Sequence, residues 1–410
     1  MPRAFEGLRV IDATHVLAGP FASYQLAVLG ADVIKIDRPD DPDQVRIQGP
    51  DRALNDAGMG TTYLAQGANK RSLALDLKTE DGRAALRALL KTADVFVQNY
   101  RPGALEALGL GYDDMAALNP RLVYCSVSAF GHDGPRREET GYDNVFQAIS
   151  GLMAATGTPE VAPLKTGAPV VDYSTGYMTA FAISAALFQR SQTGVGQHVD
   201  LAMFDATLML MSTHVTALTA TGKAPRPEGN RYAVAGLGTY DCAEGKLMLG
   251  AANLRQQKRL WEALGHPEMV KHSNNERFDD YDREEALLAR ILATRSAAEW
   301  EVFLRDHRVP AGRVRGLDEA LADPQLDHRG VLHELDAPEG REGTYKVPVA
   351  PFLMSAGNPA IDRAPRASES IPPKCWPRRA LMPPRSRGCS KAERRQNPGD
   401  GNSAPGLRPA

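Results

Sequence analysis

The amino-acid sequence predicts an α/β protein whose main domain is built on a parallel, doubly wound sheet. Short β-branched runs alternate with helical patterns through residues 8–128. Strands separated by helices in this way normally run parallel within one sheet. The chain has 410 residues, which is long for a single hydrophobic core, so a second domain is expected.

The first predicted unit is a strand, a turn, a helix and a second strand. These elements are expected over residues 8–13, 14–20, 21–29 and 32–36, and the helix should stop at Gly30. Such a Rossmann-like βαβ unit points a helix N-terminus at its turn, which suits a phosphate group. The turn lacks the pattern G-x-G-x-x-G, so neither NAD nor a flavin is expected.

The alternation then continues along the chain. Strands are predicted to end near Lys78 and to occupy 94–98, 122–128 and 197–202, with helices over 80–91, 113–118, 141–152 and 203–218. From about residue 223 the pattern changes to a hairpin at 239–249 and helices at 254–264, 283–293 and 297–307. We therefore expect a large α/β domain to begin over 1–223, a smaller α+β domain over 224–330, and a return to the large domain over 331–370.

The C-terminal 40 residues, 371–410, have a different composition. They hold nine Lys or Arg residues, two acidic residues and eight prolines, with little apolar periodicity. Such a segment buries too little surface to offset the entropy of ordering, so a disordered basic tail is predicted. The abrupt change of composition is also what a reading-frame change would produce.

Composition excludes several classes of function. The net charge is −2, and removing the basic tail leaves −9, so a general nucleic-acid binder is not expected. No apolar run is long enough to span a membrane, and the N-terminus shows no export signal. The four cysteines have no C-x-x-C spacing, which favours a reducing compartment, here the cytoplasm, and argues against a structural zinc.

Two groups of residues are candidates for a site. The segment 16–18 and the residues Arg38, Asn99 and Arg101 follow predicted strands, and ligands of such sheets bind at the carboxyl ends of strands. For each residue alone, a solvated loop is the better interpretation. It fits the set less well, because Arg38 and Arg101 each follow a separate strand closely. Asp172 lies between an apolar run, 168–171, and a helix expected to start near Tyr177. It is either the N-cap of that helix or a nucleophile.

Seven motifs, in one order along the chain, resemble the class III CoA-transferases, the family of formyl-CoA, carnitine and dicarboxylate CoA-transferases. They are H-V-L-A-G-P (15–20), L-G-A-D-V-I-K-I-D-R-P (29–39), N-K-R-S-L-A-L-D-L-K (69–78), D-V-F-V-Q-N-Y-R-P-G (94–103), V-D-Y-S-T-G (171–176), G-V-G-Q-H-V-D-L-A-M-F-D (194–205) and V-P-A-G-R-V (309–314). The resemblance covers about residues 5–355.

The resemblance implies that Asp172 is the catalytic nucleophile. Its carboxylate would attack an acyl-CoA thioester to form a mixed anhydride, from which CoA gives an aspartyl-CoA thioester. An unperturbed Asp is ionised at neutral pH, so no general base is expected. The substrates implied are acyl-CoA and a carboxylic acid, with no metal. Coenzyme A would be bound by Val16, Leu17, Ala18, Arg38, Leu75, Lys78, Asn99, Tyr100, Arg101 and Tyr142.

Two alternatives to transfer stay open. The 2-methylacyl-CoA racemases, a sister branch, carry a His in a segment where this chain has Tyr142, and a phenol replaces an imidazole poorly in proton transfer. An inactive CoA-binding homologue is the other alternative, because the tail replaces the usual C-terminal segment of the family. The resemblance also implies a homodimer of two interlocked chains. Arg46, Arg52 and Arg71 would suit a dicarboxylate if they lay at the site.

Overall fold

A computed structural model describes residues 1–367 of the chain. The predicted disordered tail, 371–410, lies outside these residues. Within them, no helix is both long enough and apolar enough to cross a membrane. No three His, Cys, Asp or Glu side chains of the described residues are grouped as a metal ion would require.

The central sheet has six strands, and all of its neighbouring pairs are parallel. The strands are β1 (Arg9–Ala13), β2 (Asp32–Asp37), β3 (Lys70–Ala74), β4 (Val95–Gln98), β5 (Val123–Ser128) and β6 (His198–Ala202). Their order is β3-β2-β1-β4-β5-β6, so the direction of winding reverses between β1 and β4. The predicted parallel sheet is confirmed.

Nine helices of the described chain accompany this sheet. They are α1 (Ala18–Val28), α2 (Arg52–Asp56), α3 (Thr61–Leu64), α4 (Glu80–Leu90), α5 (Tyr112–Leu118), α6 (Asp143–Ile149), α7 (Val170–Thr193), α8 (Met203–Leu210) and α9 (Ser212–Thr221). The single helix predicted over 203–218 was wrong, because the chain breaks at Met211 between α8 and α9. The apolar periodicity continues through the break, so the sequence pattern does not reveal it.

Both faces of the sheet are covered by helices. On one face, Ile11 and Ile34 pack in a buried cluster with Leu86 of α4 and Met115 of α5. On the other, a second cluster joins residues of β1 and β2 to Leu26 of α1 and to Ile183 and Leu187 of α7. Alternate residues of a strand point to opposite faces. The near-continuous apolar strands therefore fill both cores, as a doubly wound sheet requires.

A second sheet and its helices form a separate core. The strands β7 (Leu237–Asp241), β8 (Lys246–Gly250) and β9 (Ala311–Arg313) are antiparallel, and they are accompanied by α10 (Leu254–Ala263), α11 (Asn274–Asp279), α12 (Tyr281–Leu292) and α13 (Ala297–Asp306). Trp261 and Trp300 are buried in this core. It contains no residue of the six-stranded sheet's clusters.

The last described elements return towards α1. They are α14 (Leu317–Leu321), α15 (Pro324–Arg329) and the antiparallel pair β10 (Leu332–Asp336) and β11 (Thr344–Pro348). Val347 and Ile361 are buried in a cluster with Phe21 and Tyr24 of α1, and the Tyr24 hydroxyl donates to the Pro348 carbonyl at 2.7 Å. The predicted division of the chain into domains, with a return to the large domain over 331–370, stays a prediction.

Candidate active site

The loops that follow β1 and β4 are joined at the point where the winding of the sheet reverses. Asn99, just after β4, accepts a hydrogen bond from the His15 N–H at 2.9 Å and donates one to the His15 carbonyl at 2.8 Å. Because ligands of open α/β sheets bind at this reversal, the paired loops mark the first wall of a site.

Val16 holds an unusual backbone conformation in that wall. Its φ is +72°, in the left-handed region that a β-branched residue rarely occupies. The Val16 N–H donates to the Asp43 carboxylate at 3.0 Å, and its carbonyl accepts from the Gln66 side chain at 2.8 Å. These two bonds compensate for the strain and fix the loop of residues 15–17.

Buried charged residues at the end of β1 stabilise the loop of residues 15–17. Asp12, fully buried, accepts hydrogen bonds from Thr14, Ser23 and Lys70. Burial alone would raise its pKa, but the charges of Lys70 and Lys35 and these hydrogen bonds lower the pKa of Asp12 to about 2. The carboxylate therefore stays ionised and keeps the end of β1 fixed under the site.

Asp172 lies in the first turn of α7, which corrects the prediction for this stretch. The helix begins at Val170, with Asp172 as its third residue, so the apolar run 168–171 is not a strand and Asp172 is not an N-cap. Asp143 supplies the missing cap from α6: its carboxylate accepts from the N–H groups of Val171 at 2.7 Å and Asp172 at 3.1 Å. This tertiary cap allows the helix to start at Val170.

The Asp172 side chain is half-buried, and its pKa is raised to about 7 by burial and by the negative charge of Asp143. A helix N-terminus would ordinarily favour the carboxylate, but Asp143 offsets that positive potential. The expectation that no general base is needed rested on an unperturbed aspartate, and the pKa of Asp172 is raised above that ordinary value.

A cavity of about 290 Å³ opens in front of Asp172. Its walls are residues 15–18, 99–102, 127–129 and 139–142, together with Asp172 and Met203. The structure thus brings together Val16, Leu17, Ala18, Asn99, Tyr100, Arg101, Tyr142 and Asp172, eight of the eleven site residues that the resemblance implied. The exposed Arg101 has no ion pair within residues 1–367.

The other three predicted residues lie outside this cavity, at the ends of β2 and β3. Arg38 forms ion pairs with Asp40 at 2.6 Å and Asp41 at 3.5 Å. Leu75 is buried in the core, and Lys78 is exposed. Because β2 and β3 come next to β1 in the strand order, these three residues lie along the same edge of the sheet as the loops after β1 and β4. Their role in binding stays a prediction.

A second cavity, of about 250 Å³, is also lined by Asp172. It is lined by Tyr142, Asp143, Asn144, Gln147, Asp172 and the segment 165–169. Tyr142 and Asp172 line both cavities. Asp172 therefore lies where two openings meet.

Sequence patterns had not assigned a role to several residues of the site. No sequence pattern singled out Asp143, although it caps α7 and shifts the pKa of Asp172. His15 lies inside the first resembling motif and lines the cavity; burial and the charge of Lys35 lower its pKa, so its ring is neutral at pH 7. Lys165 in the second cavity carried no signal, because no motif includes it.

The model of CoA-transferase family III matches residues 5–369 of the chain. The match covers nearly all of the sequence. The chain belongs to CoA-transferase family III. The resemblance drawn from the seven motifs is thereby confirmed, and the protein is an acyl-CoA:carboxylate CoA-transferase.

Relatives of known name agree with this assignment. The chain is 35% identical over 348 residues to a succinate–glutarate CoA-transferase of Agrobacterium fabrum, covering 82% of this chain and 86% of that one. It is 36% identical over 334 residues to an acetyl-CoA:oxalate CoA-transferase of Acetobacter aceti, covering 80% and 85%. The crystal structure of a CaiB/BaiF family protein from Brucella suis superimposes with a TM-score of 0.77 at 32% identity, covering 90% of this chain and 97% of that one.

Proposed function

We propose that this family III enzyme transfers CoA through a covalent intermediate on Asp172. The observation that carries the proposal is the position of this carboxyl group, which lines both cavities at the point where they meet. An acyl-CoA entering from one cavity and an acid entering from the other would both reach the same side chain. The raised pKa of Asp172 also makes its carboxylate a better nucleophile than an ordinary aspartate.

In the proposed reaction, each step forms one bond and breaks one. The Asp172 carboxylate attacks the thioester carbonyl, the C–S bond breaks, and a mixed anhydride and CoA thiolate result. The thiolate then attacks the Asp172 carbonyl carbon, releasing the donor acid and leaving an aspartyl-CoA thioester. The acceptor carboxylate then attacks the aspartyl-CoA thioester, which gives a second mixed anhydride and releases CoA thiolate. The thiolate attacks the acceptor carbonyl carbon of that anhydride, which yields acceptor-CoA and the free Asp172 carboxylate. No proton is gained or lost over the cycle.

The 290 Å³ cavity is the proposed position of the thioester end of CoA. Tyr142 lines it beside Asp172, and Arg101 offers a guanidinium without an intramolecular ion pair among residues 1–367. Arginine suits the phosphates of CoA because its planar donors match phosphate oxygens. The nucleotide would then extend along the strand ends towards Arg38 and Lys78. A phosphate at Arg38 has to compete with Asp40 and Asp41.

Hydroxylamine trapping tests the covalent step. The purified enzyme is incubated with an acyl-CoA and hydroxylamine, and the peptide that contains Asp172 is examined by mass spectrometry. Activated Asp172 should be converted to a hydroxamate. Val145→Ala is a matched control, since Val145 is an exposed residue of α6 that lines neither cavity, and it should give the same adduct as the wild type.

Hydroxylamine trapping, together with a separate assay of hydrogen exchange in D₂O, distinguishes the transferase mechanism from the two alternatives. A racemase would leave Asp172 unmodified and would exchange the hydrogen next to the thioester for deuterium in D₂O. An inactive homologue would bind CoA and do neither. Failure to form the hydroxamate with a panel of acyl-CoAs would contradict the proposed mechanism.

The proposal includes a homodimer, which the resemblance implied. An apolar row on α7 supports it: Tyr177, Phe181 and Phe188 are 42%, 75% and 68% exposed, and their spacing places them on one side of the helix. Exposed aromatic rows of this kind mark interaction surfaces. Light scattering after gel filtration should give twice the monomer mass of 44.3 kDa, and a monomer would contradict the dimer. The cytoplasmic location stays a prediction.

A further inference from the structure

The 250 Å³ cavity contains a lysine that no step described so far uses. Lys165 lies in the segment 165–169, opposite α6. Among residues 1–367, no carboxylate lies within ion-pair distance of its ammonium group, which donates only a long hydrogen bond, 3.4 Å, to the carbonyl of Thr166. The ammonium group is therefore available to an anion in the cavity.

The segment that carries Lys165 is held in place by α6. Gln147, buried in α6, accepts hydrogen bonds from the Thr166 N–H at 2.9 Å and from the Thr166 hydroxyl at 3.3 Å. The single proton of that hydroxyl is shared with the Ala168 carbonyl, which is the nearer acceptor at 2.8 Å. Because Gln147 also donates to the Asp143 carboxylate, one hydrogen-bonded chain joins the residue beside Lys165 to the cap of α7.

The residues that line this cavity carry charges of both signs. Asp143 and Asp172 lie at the end where the helix α7 begins, and Lys165 supplies the positive charge of the remaining wall. The ion pairs of residues 1–367 include none between Lys165 and Asp172, so the ammonium group lies beyond direct contact with the nucleophile. The cavity volume of about 250 Å³ lies below the roughly 300–1,000 Å³ of drug-sized ligand sites, which favours a small acid as its occupant.

We propose that Lys165 is a specificity-determining residue that binds the distal carboxylate of a short dicarboxylic acid whose proximal carboxylate reacts at Asp172. This inference rests on the proposed function. A monocarboxylic acid would leave the ammonium group unpaired, whereas a second carboxylate forms a charge-assisted hydrogen bond with it. A dicarboxylate is therefore preferred over an acid of the same length with one charge.

The arginines considered from sequence do not fill this role. Arg46 is buried against Asp37 at 2.7 Å, Arg71 pairs with Asp32 at 2.7 Å, and Arg52 is almost fully exposed. None of the three lines either cavity. Lys165 is the one Lys or Arg among the described residues that line the second cavity.

The test compares acids that differ in one charge. Wild type and Lys165→Met are assayed with succinyl-CoA as donor and, as acceptors, straight-chain dicarboxylates from oxalate to adipate and their monomethyl esters. Loss of one exposed charge-assisted hydrogen bond should lower kcat/KM for the preferred dicarboxylate about tenfold. The values for the monoesters should stay within about twofold, and Lys165→Arg should retain the preference for the dicarboxylate.

Lys91→Met is the matched control. Lys91 is an exposed lysine at the end of α4. It lies at the edge of the sheet opposite to the carboxyl ends of the strands, and its substitution should change kcat/KM neither for the dicarboxylates nor for the monoesters. If Lys165→Met lowered kcat/KM equally for dicarboxylates and monoesters, or lowered neither, the inference would be overturned. A wild type that forms the Asp172 hydroxamate but accepts only monoesters would also overturn it. A wild type that forms no hydroxamate contradicts the proposed function instead, so the two failures are distinguishable.

Discussion

The carboxylate of Asp143 accepts a hydrogen bond from the backbone N–H of Asp172 at 3.1 Å while its charge raises the pKa of the Asp172 side chain. Asp143 thus fixes the position of the proposed nucleophile and adds to the effect of burial, which is the larger cause of the raised pKa. The cap stabilises the first turn of α7, and the like charge makes the carboxylate of Asp172 more basic.

Asp143→Asn should move the pH dependence of transfer. Asp172 reacts as a carboxylate, so kcat/KM should rise with pH through the pKa of about 7. Removing the charge of Asp143 lowers the pKa of Asp172, and the acid limb should shift to lower pH by about one unit. The measurement is a pH profile of kcat/KM. An acid limb that stays in place would show that burial alone sets the pKa.

Asp172→Asn should abolish transfer and stabilise the protein more at pH 8.5 than at pH 5. An acid whose pKa is raised by folding favours the folded state while it is protonated, and this contribution is lost as the pH rises through about 7. The neutral amide avoids that loss, which is at most about 4 kcal/mol at roughly 1.4 kcal/mol per pKa unit. Melting curves of both proteins at the two pH values provide the test. An equal difference in Tm at both would contradict it.

Val16→Gly should stabilise the fold. Relief of the left-handed strain at φ +72° is worth about 1–3 kcal/mol, and the added chain entropy of glycine costs roughly 0.5–1 kcal/mol. Urea denaturation should therefore show a gain of about 1 kcal/mol. Val16→Ala, which keeps a Cβ atom, is the matched control and should gain less; the reverse order would show that the loop is not strained.

Gly176→Ala should destabilise the packing of α7 on α1. A Cβ atom at this position would lie 2.8 Å from the Ala18 carbonyl oxygen and 2.8 Å from the Phe21 ring. Overpacking of this kind costs typically about 1–3 kcal/mol. Gly167→Ala, where no atom lies within 4 Å of the added carbon, is the control and should leave the urea midpoint unchanged. Equal stability of the two variants would contradict the close helix contact.

Local patterns predicted most of the sheet and its helices because their signals are short in range. The strand predicted over 32–36 and the helix over 297–307 differ by only a residue or so from β2 and α13. Patterns failed at Asp172. The run 168–171 contains β-branched residues typical of a strand, and the cap that makes it helical comes from Asp143, 29 residues earlier in the chain.

The sequence by itself determined the alternation of strands and helices, the seven family motifs and the choice of Asp172 as the proposed nucleophile. Only the tertiary structure decided the ionisation of Asp172 and the surroundings of Lys165. A pKa depends on burial and on charges close in space, and here the deciding charge is that of Asp143 on a different helix. The meeting of two cavities at Asp172 likewise depends on how α6, α7 and the loop after β1 pack together.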